Sequence, residues 1–147
     1  MTRPNLTFAE VQALPPDALL HRVELPPVTS TQLAFYCATT RVADPIHYDR
    51  DFARRFGFRD LVVNGSLRIS WLTSALADLV ASPDFVAHIS CAHQAPVFVG
   101  DAVSLEVRAS GVAEPVDGGC ELPCLVTASV AGKPVDQAQG RLFFASR

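Results

Sequence analysis

Residues 64–81 read NGSLRISWLTSALADLVA, and the fold turns on them. From Leu67 onward no Gly or Pro interrupts the run until Pro83, and Ile69, Leu72, Leu76, Leu79 and Val80 recur three and four apart, the period of a helix face. Trp71, Leu67 and three alanines fill other positions. A helix this apolar around its circumference is expected to be buried on several sides. Downstream, four stretches (85–94, 102–112, 122–130 and 135–144) alternate as half-buried strands do. In the second, Val103, Leu105, Val107 and Ala109 take one face while Ser104, Glu106, Arg108 and Ser110 take the other. Gly100-Asp101, Pro115 with Gly118-Gly119, and Gly132-Lys133-Pro134 supply the turns. One long helix followed by an antiparallel meander leaves the sheet one apolar face, which is buried by wrapping it around that helix. The expected class is therefore α+β, a single hot-dog domain over residues 1–147, and a sheet edge or face left over predicts a dimer.

Upstream of the helix the reading is coarser. Residues 1–30 hold five of the eleven prolines around a short helical stretch at 7–14, which predicts an extended arm lying on the domain. The run TQLAFYCATT (31–40) fits a strand or a short helix. Pro45 disfavours helix at Asp44, which places His47 on a loop. Asp49 is a suitable N-cap for a short helix through Phe56, with Gly57 where a helix end favours positive φ.

The composition narrows the function classes. Of 147 residues 49% are hydrophobic and 18% charged, enough for a full core without disulfide or metal. Twelve basic against fifteen acidic side chains give a formal charge of -3, with no basic run longer than Arg54-Arg55, so neither nucleic acid nor an anionic membrane is an expected partner. The N-terminal stretch has no apolar segment of a secretory leader, and a cytoplasmic location is expected. Cys37, Cys91, Cys120 and Cys124 form no CxxC pair and are expected as reduced core thiols.

The segment 35–67, FYCATTRVADPIHYDRDFARRFGFRDLVVNGSL, resembles the signature of the MaoC-like enoyl-thioester hydratases and dehydratases. That family shows an aromatic-Ala run, Gly-Asp-x-Asn-Pro-Ile/Leu-His-x-Asp, Phe-Ala, a Gly-Phe/Tyr pair, and a hydrophobic stretch ending His-Gly before the central helix. Pro45-Ile46-His47, Asp49, Phe52-Ala53, Gly57-Phe58 and Gly65 fall at matching offsets, and residues 95–101, APVFVGD, resemble the family's Pro-x-x-x-Gly-Asp turn. The resemblance implies reversible hydration of a trans-2-enoyl thioester, or dehydration of the 3-hydroxy form, on coenzyme A or an acyl carrier protein, without a cofactor. It implies His47 as general acid/base and the Gly65 N–H as donor to the thioester carbonyl, beside Asn64. The start of a helix offers free N–H groups and the positive end of the macrodipole to such an oxyanion. The family's catalytic Asp, five residues before the His, is replaced here by Val42; Arg41 stands for the preceding Gly, Asp44 for the Asn and Asn64 for the His. Valine cannot accept a proton. Asp44, on the same loop, is the candidate second carboxylate. More distant members resembling itaconyl- or mesaconyl-CoA hydratases also lack the Asp while keeping a sequence like Ile46-His47-Tyr48-Asp49.

Two other readings stay open. A degenerate hot-dog subunit would bind the acyl chain and support a catalytic partner in a heterodimer, which Val42 favours. Another thioester reaction, such as hydrolysis, is possible on the same scaffold. Asp49 reads as a cap rather than a base, and Asn64 or Ser66 as a cap of the central helix. Cys91 and His93 share a strand face but His88 takes the other, so no metal site is expected. Arg50 and Arg54, four apart and so able to meet coenzyme A phosphates at a cleft mouth, read instead as a solvated face, with Arg55 paired to Asp51.

Overall fold

The computed structural model describes residues 5–146. Helix α1 (Phe8–Gln12) is closed by a capping box in which Thr7 accepts from the Glu10 N–H and the Glu10 carboxylate accepts from Thr7. Strand β1 (Leu19–Leu25) follows, then α2 (Ser30–Thr40), a 3₁₀ turn (Pro45–His47), α3 (Arg50–Arg55) and α4 (Gly65–Ala77). The rest is sheet: β2 (Phe85–His93), β3 (Val103–Ala109), β4 (Glu114–Val116), β5 (Gly119–Val130) and β6 (Lys133–Ala145).

The strands run antiparallel in the order β1-β3-β5-β6-β2, with β4 folded onto β5. Along β3 the expected alternation holds, with Val103, Leu105, Val107 and Ala109 buried. Facing them, Leu72, Ala75, Leu76 and Leu79 form the buried stripe of α4 and of the turn that follows it. Helix α4 meets β1, β2, β3, β5 and β6, so the sheet curls around it, and the architecture is the α+β hot-dog. Ile69, counted from its spacing in that stripe, is instead exposed. Among the described residues no helix is long and apolar enough to cross a membrane.

Two local expectations change, and the choice between strand and helix for residues 31–40 is decided. The proline-rich N-terminal region is not only an extended arm: residues 19–25 join the sheet as an edge strand on β3, and residues 1–4 lie outside the described residues. The prolines bracket this strand rather than interrupt it, and an edge tolerates them there. Residues 31–40 are helical, because Thr29 accepts from the Gln32 N–H at 3.1 Å and starts α2, which ends at Arg41 with φ 56°. The segment around Pro115 is strand β4 rather than turn alone, paired with β5 from Glu114 opposite Glu121 to Val116 opposite Gly119. All four cysteines are free, and burial pushes the Cys124 thiol up to about 12.

The sheet approaches α4 closely at Gly140, where a Cβ would lie 2.6 Å from Leu76 Cδ1. Leu76 is fully buried, so any retreat must displace its packed neighbours. Gly140→Ala is therefore expected to cost about 1–3 kcal/mol through overpacking. A lowered urea midpoint with an unchanged slope is the result expected. An unchanged midpoint would mean that helix and sheet separate freely at this point.

Candidate active site

His47 is held by a short knot of backbone and side-chain bonds. Asp44 caps the 3₁₀ turn by accepting from the Ile46 N–H at 3.2 Å, the Tyr48 hydroxyl donates to the Ala43 carbonyl at 2.8 Å, and the Asp49 N–H donates to the Pro45 carbonyl at 2.8 Å. The turn is fastened to the strand-like segment before α4 by the Val62 N–H, which donates to the Ile46 carbonyl at 3.0 Å. His47 Nδ1 then lies 2.7 Å from the Val62 carbonyl. A carbonyl only accepts, so Nδ1 carries a proton, and in the neutral ring Nε2 holds the lone pair, the tautomer that a general base needs. The ring is half-buried, and Asp44 is exposed.

The same segment leads into α4. The Val63 N–H donates to the Val97 carbonyl at 2.8 Å and the Val99 N–H to the Leu61 carbonyl at 3.1 Å, which fixes residues 61–63 against the 97–99 segment. Asn64 and Gly65 follow directly. Asn64 is buried but does not cap the helix: its amide lies against the Cys37 thiol, with Nδ2 3.7 Å and Oδ1 3.8 Å from Sγ. The first helical bond of α4 runs from the Arg68 N–H to the Asn64 carbonyl at 3.1 Å, so the N–H groups of Gly65, Ser66 and Leu67 precede it. His47 and the start of α4 are thus brought together through Val62, three residues before Gly65.

A second cluster at this helix end escapes sequence reasoning. Asp136 on β6 sits opposite His93 on β2, and His93 Nδ1 lies 2.6 Å from Asp136 Oδ1. Asp136 is 1% exposed and Arg68, in the first turn of α4, 4%. Arg68 Nε donates to Asp136 Oδ2 at 3.0 Å and its Nη2 to Oδ1 at 2.6 Å, while Nη2 also reaches the Ala95 and Val135 carbonyls at 2.6 and 2.9 Å. Cys91 shares the face of His93, and one ligand atom from each of Cys91, His93 and Asp136 falls within 4.8 Å of the others. The third member is therefore Asp136 rather than His88. As it stands the cluster suits a proton better than a cation. Both Asp136 oxygens are engaged by a guanidinium, and burial, then the Asp136 charge, pushes the Cys91 thiol up and keeps it protonated.

The remaining candidates resolve simply. Asp49 caps α3, accepting from the Phe52 N–H at 2.9 Å, and Gly57 has φ 87° just beyond it. Arg50 pairs with Asp60 at 3.0 Å, and the backbone N–H of Leu61, then Arg50, hold the Asp60 carboxyl below its usual range. Asp51 is met by Arg54 at 3.8 Å rather than by Arg55, which lies over the Phe52 ring. These are exposed pairs of small energetic weight.

The family model for the MaoC like domain matches residues 11–121. No curated protein matches by sequence. Among solved structures, the (R)-hydratase from A. caviae involved in PHA biosynthesis is 20% identical with a TM-score of 0.77, covering 90% of this chain and 98% of its own. The ChsH1-ChsH2 complex from Mycobacterium tuberculosis is also 20% identical, with a TM-score of 0.74 over 87% of this chain and 96% of the matched one. The C-terminally truncated HadBC (3R-hydroxyacyl-ACP dehydratase) complex from Mycobacterium tuberculosis is 15% identical, with a TM-score of 0.68 over 84% of this chain and 94% of the other. At these identities the structures share the fold. The family follows from the model match, which spans most of the sequence: the chain belongs to the MaoC-like domain family.

Proposed function

We propose that the protein catalyses the reversible hydration of a 2-enoyl thioester carried on coenzyme A or an acyl carrier protein. The observation that carries this reading is the His47 ring, fixed through Nδ1 on the Val62 carbonyl with a basic Nε2, three residues of chain from the start of α4. In the forward direction Nε2 takes a proton from water as the water oxygen bonds to C3. The π pair of C2=C3 moves onto the thioester carbonyl, whose oxygen is held by the Gly65 N–H at the positive end of α4. Protonation at C2 completes the addition. Asn64, buried against Cys37, sets the entry of the chain into the helix beside Gly65. A homodimer, or a heterodimer with a related hot-dog subunit, is the expected assembly. It would cover β2, which pairs with β6 on one side only in this chain. The test is hydration of crotonyl-CoA and of a longer enoyl-CoA by the purified chain, with the mass of the native assembly measured alongside. The cytoplasm, where such thioesters are processed, is the proposed location.

Asp44 is the proposed second carboxylate of this reading. Its side chain already accepts from the Ile46 N–H, a role that asparagine can fill. Asp44→Asn is therefore expected to leave the melting temperature unchanged while lowering kcat by about 10²-fold, the low end for a proton-handling group. An unchanged kcat in Asp44→Asn, with loss of both activity and stability in Asp44→Ala, would assign Asp44 to the turn alone.

The second reading, a non-catalytic subunit supporting a partner, is favoured by Val42 and by the exposure of Asp44. It predicts no turnover by the chain alone. It also predicts that activity restored by an intact partner subunit would be indifferent to His47→Ala.

A further inference from the structure

We propose that His93 is a second acid/base residue of the same site, exchanging the proton at C2 of the thioester, with Asp136 and Arg68 as its positioning residues. This rests on the hydration reading above and deepens it. Four observations converge. His93 and Asp136 are cross-strand partners with Nδ1 2.6 Å from Oδ1, and a carboxylate accepts only, so in the neutral ring Nδ1 carries the proton and Nε2 the lone pair. Asp136 is itself immobilised, buried and gripped through both oxygens by Arg68, which is pinned in turn by the Ala95 and Val135 carbonyls. The His93 side chain, unlike its two supports, keeps 36% of its surface exposed. Finally, Nε2 lies against Gly65: a Cβ built at that position would be 2.9 Å from it, so the residue at the helix start must be one without a side chain while the ring stays where Asp136 holds it.

These contacts place two imidazoles around one helix end. His47 is anchored at Val62, and the three residues to Gly65 span at most about 10–11 Å even when extended. A thioester whose carbonyl oxygen is bound by the Gly65 N–H has C2 one bond from the carbonyl carbon, and an orientation with C2 towards His93 Nε2, which lies beside Gly65, brings the two within reach. C3 lies one bond further away, where His47 delivers the water. In hydration the His93 imidazolium gives its Nε2 proton to C2 as the enolate pair forms the C2–H bond and the carbonyl is restored. The Asp136 carboxylate accepts from Nδ1 throughout. His47 finishes protonated and His93 neutral, and proton exchange with solvent resets both. Dehydration runs the same steps backward, with His93 Nε2 removing the C2 proton. The arrangement supplies acid/base capacity in a site where Val42 supplies none.

The test uses the full chain with crotonyl-CoA, comparing wild type, His47→Ala and His93→Ala, each checked for folding by melting temperature. His93→Ala is expected to lower kcat by about 10²-fold or more with little change in KM. It should slow deuterium incorporation at C2 of 3-hydroxybutyryl-CoA in D2O, and added imidazole should restore part of the lost rate. A residue that only supports the fold would give no imidazole rescue. Wild-type activity abolished by His47→Ala but retained in His93→Ala, or a loss in His93→Ala that imidazole leaves untouched, overturns the role of His93 and leaves the hydratase reading standing. Absence of turnover by wild type on crotonyl-CoA and a longer enoyl-CoA overturns the hydratase reading, and this inference with it.

Discussion

Replacing His47 with alanine is expected to lower kcat for enoyl-CoA hydration by about 10²–10⁴-fold while leaving KM within a few-fold of wild type. In the proposed mechanism the group removed is the one that takes a proton from the attacking water, whereas the proposed donor for the thioester carbonyl, the Gly65 N–H, belongs to the backbone of α4 and stays in place. The structural cost is modest. The ring is half-buried, and its side-chain bond from Nδ1 to the Val62 carbonyl at 2.7 Å is worth about 1 kcal/mol net. The turn retains the Asp44 cap, the Tyr48 hydroxyl bond and the Val62–Ile46 backbone bond. His47→Asn separates the two roles. The asparagine amide occupies the region of Nδ1 and can donate to Val62, so the melting temperature should recover, but it offers no base at the position of Nε2, so the activity should not. An activity that returned with the melting temperature would make His47 a structural residue and shift the reading to the supporting subunit.

The sequence and the structure agree where one local rule decides the outcome. The long apolar helix, the alternation of β3, and the Asp49 cap with Gly57 beyond it each depend on residues within a few positions of one another. The place of His47 on a turn was legible for a similar reason, since Pro45 and the residues that form the turn are contiguous. What escaped depends on distant partners. Strand β1 is flanked by prolines, and its place in the sheet is set by β3, more than 75 residues later. The buried charge cluster at the start of α4 draws Arg68, His93 and Asp136 from one helix and two strands. It did leave a trace. Arg68 falls four residues before Leu72 on the buried stripe, and Asp136 begins the inward series Asp136, Ala138, Gly140, Leu142 and Phe144 of β6. An Arg on the buried face of a helix and an Asp on the buried face of a strand each demand an opposite charge. Pairing them, and then adding His93 from the same face as Cys91, needs the register of β2 against β6, which alternation alone does not fix.

Arg68→Met should be strongly destabilising, costing about 3–5 kcal/mol. The reason lies in what is left behind. Asp136 is 1% exposed, and without the guanidinium its carboxylate keeps only the His93 contact, while the Ala95 and Val135 carbonyls lose the donor they share. Every buried side-chain nitrogen and oxygen among the described residues has a partner, so no spare group stands ready to replace it. Removing both charges is a different matter. Arg68→Met combined with Asp136→Leu exchanges a desolvated ion pair for apolar packing, and such exchanges are often neutral or better. The double variant should therefore regain most of the stability lost in Arg68→Met, read by urea unfolding. Its activity should stay low, because His93 Nδ1 has then lost the acceptor that fixes its ring and tautomer. Stability and turnover both regained would show that the pair serves only to fasten α4 to β6. Stability regained without turnover would show that a charge pair buried at the helix start, which the fold can do without, is kept there for the imidazole it holds.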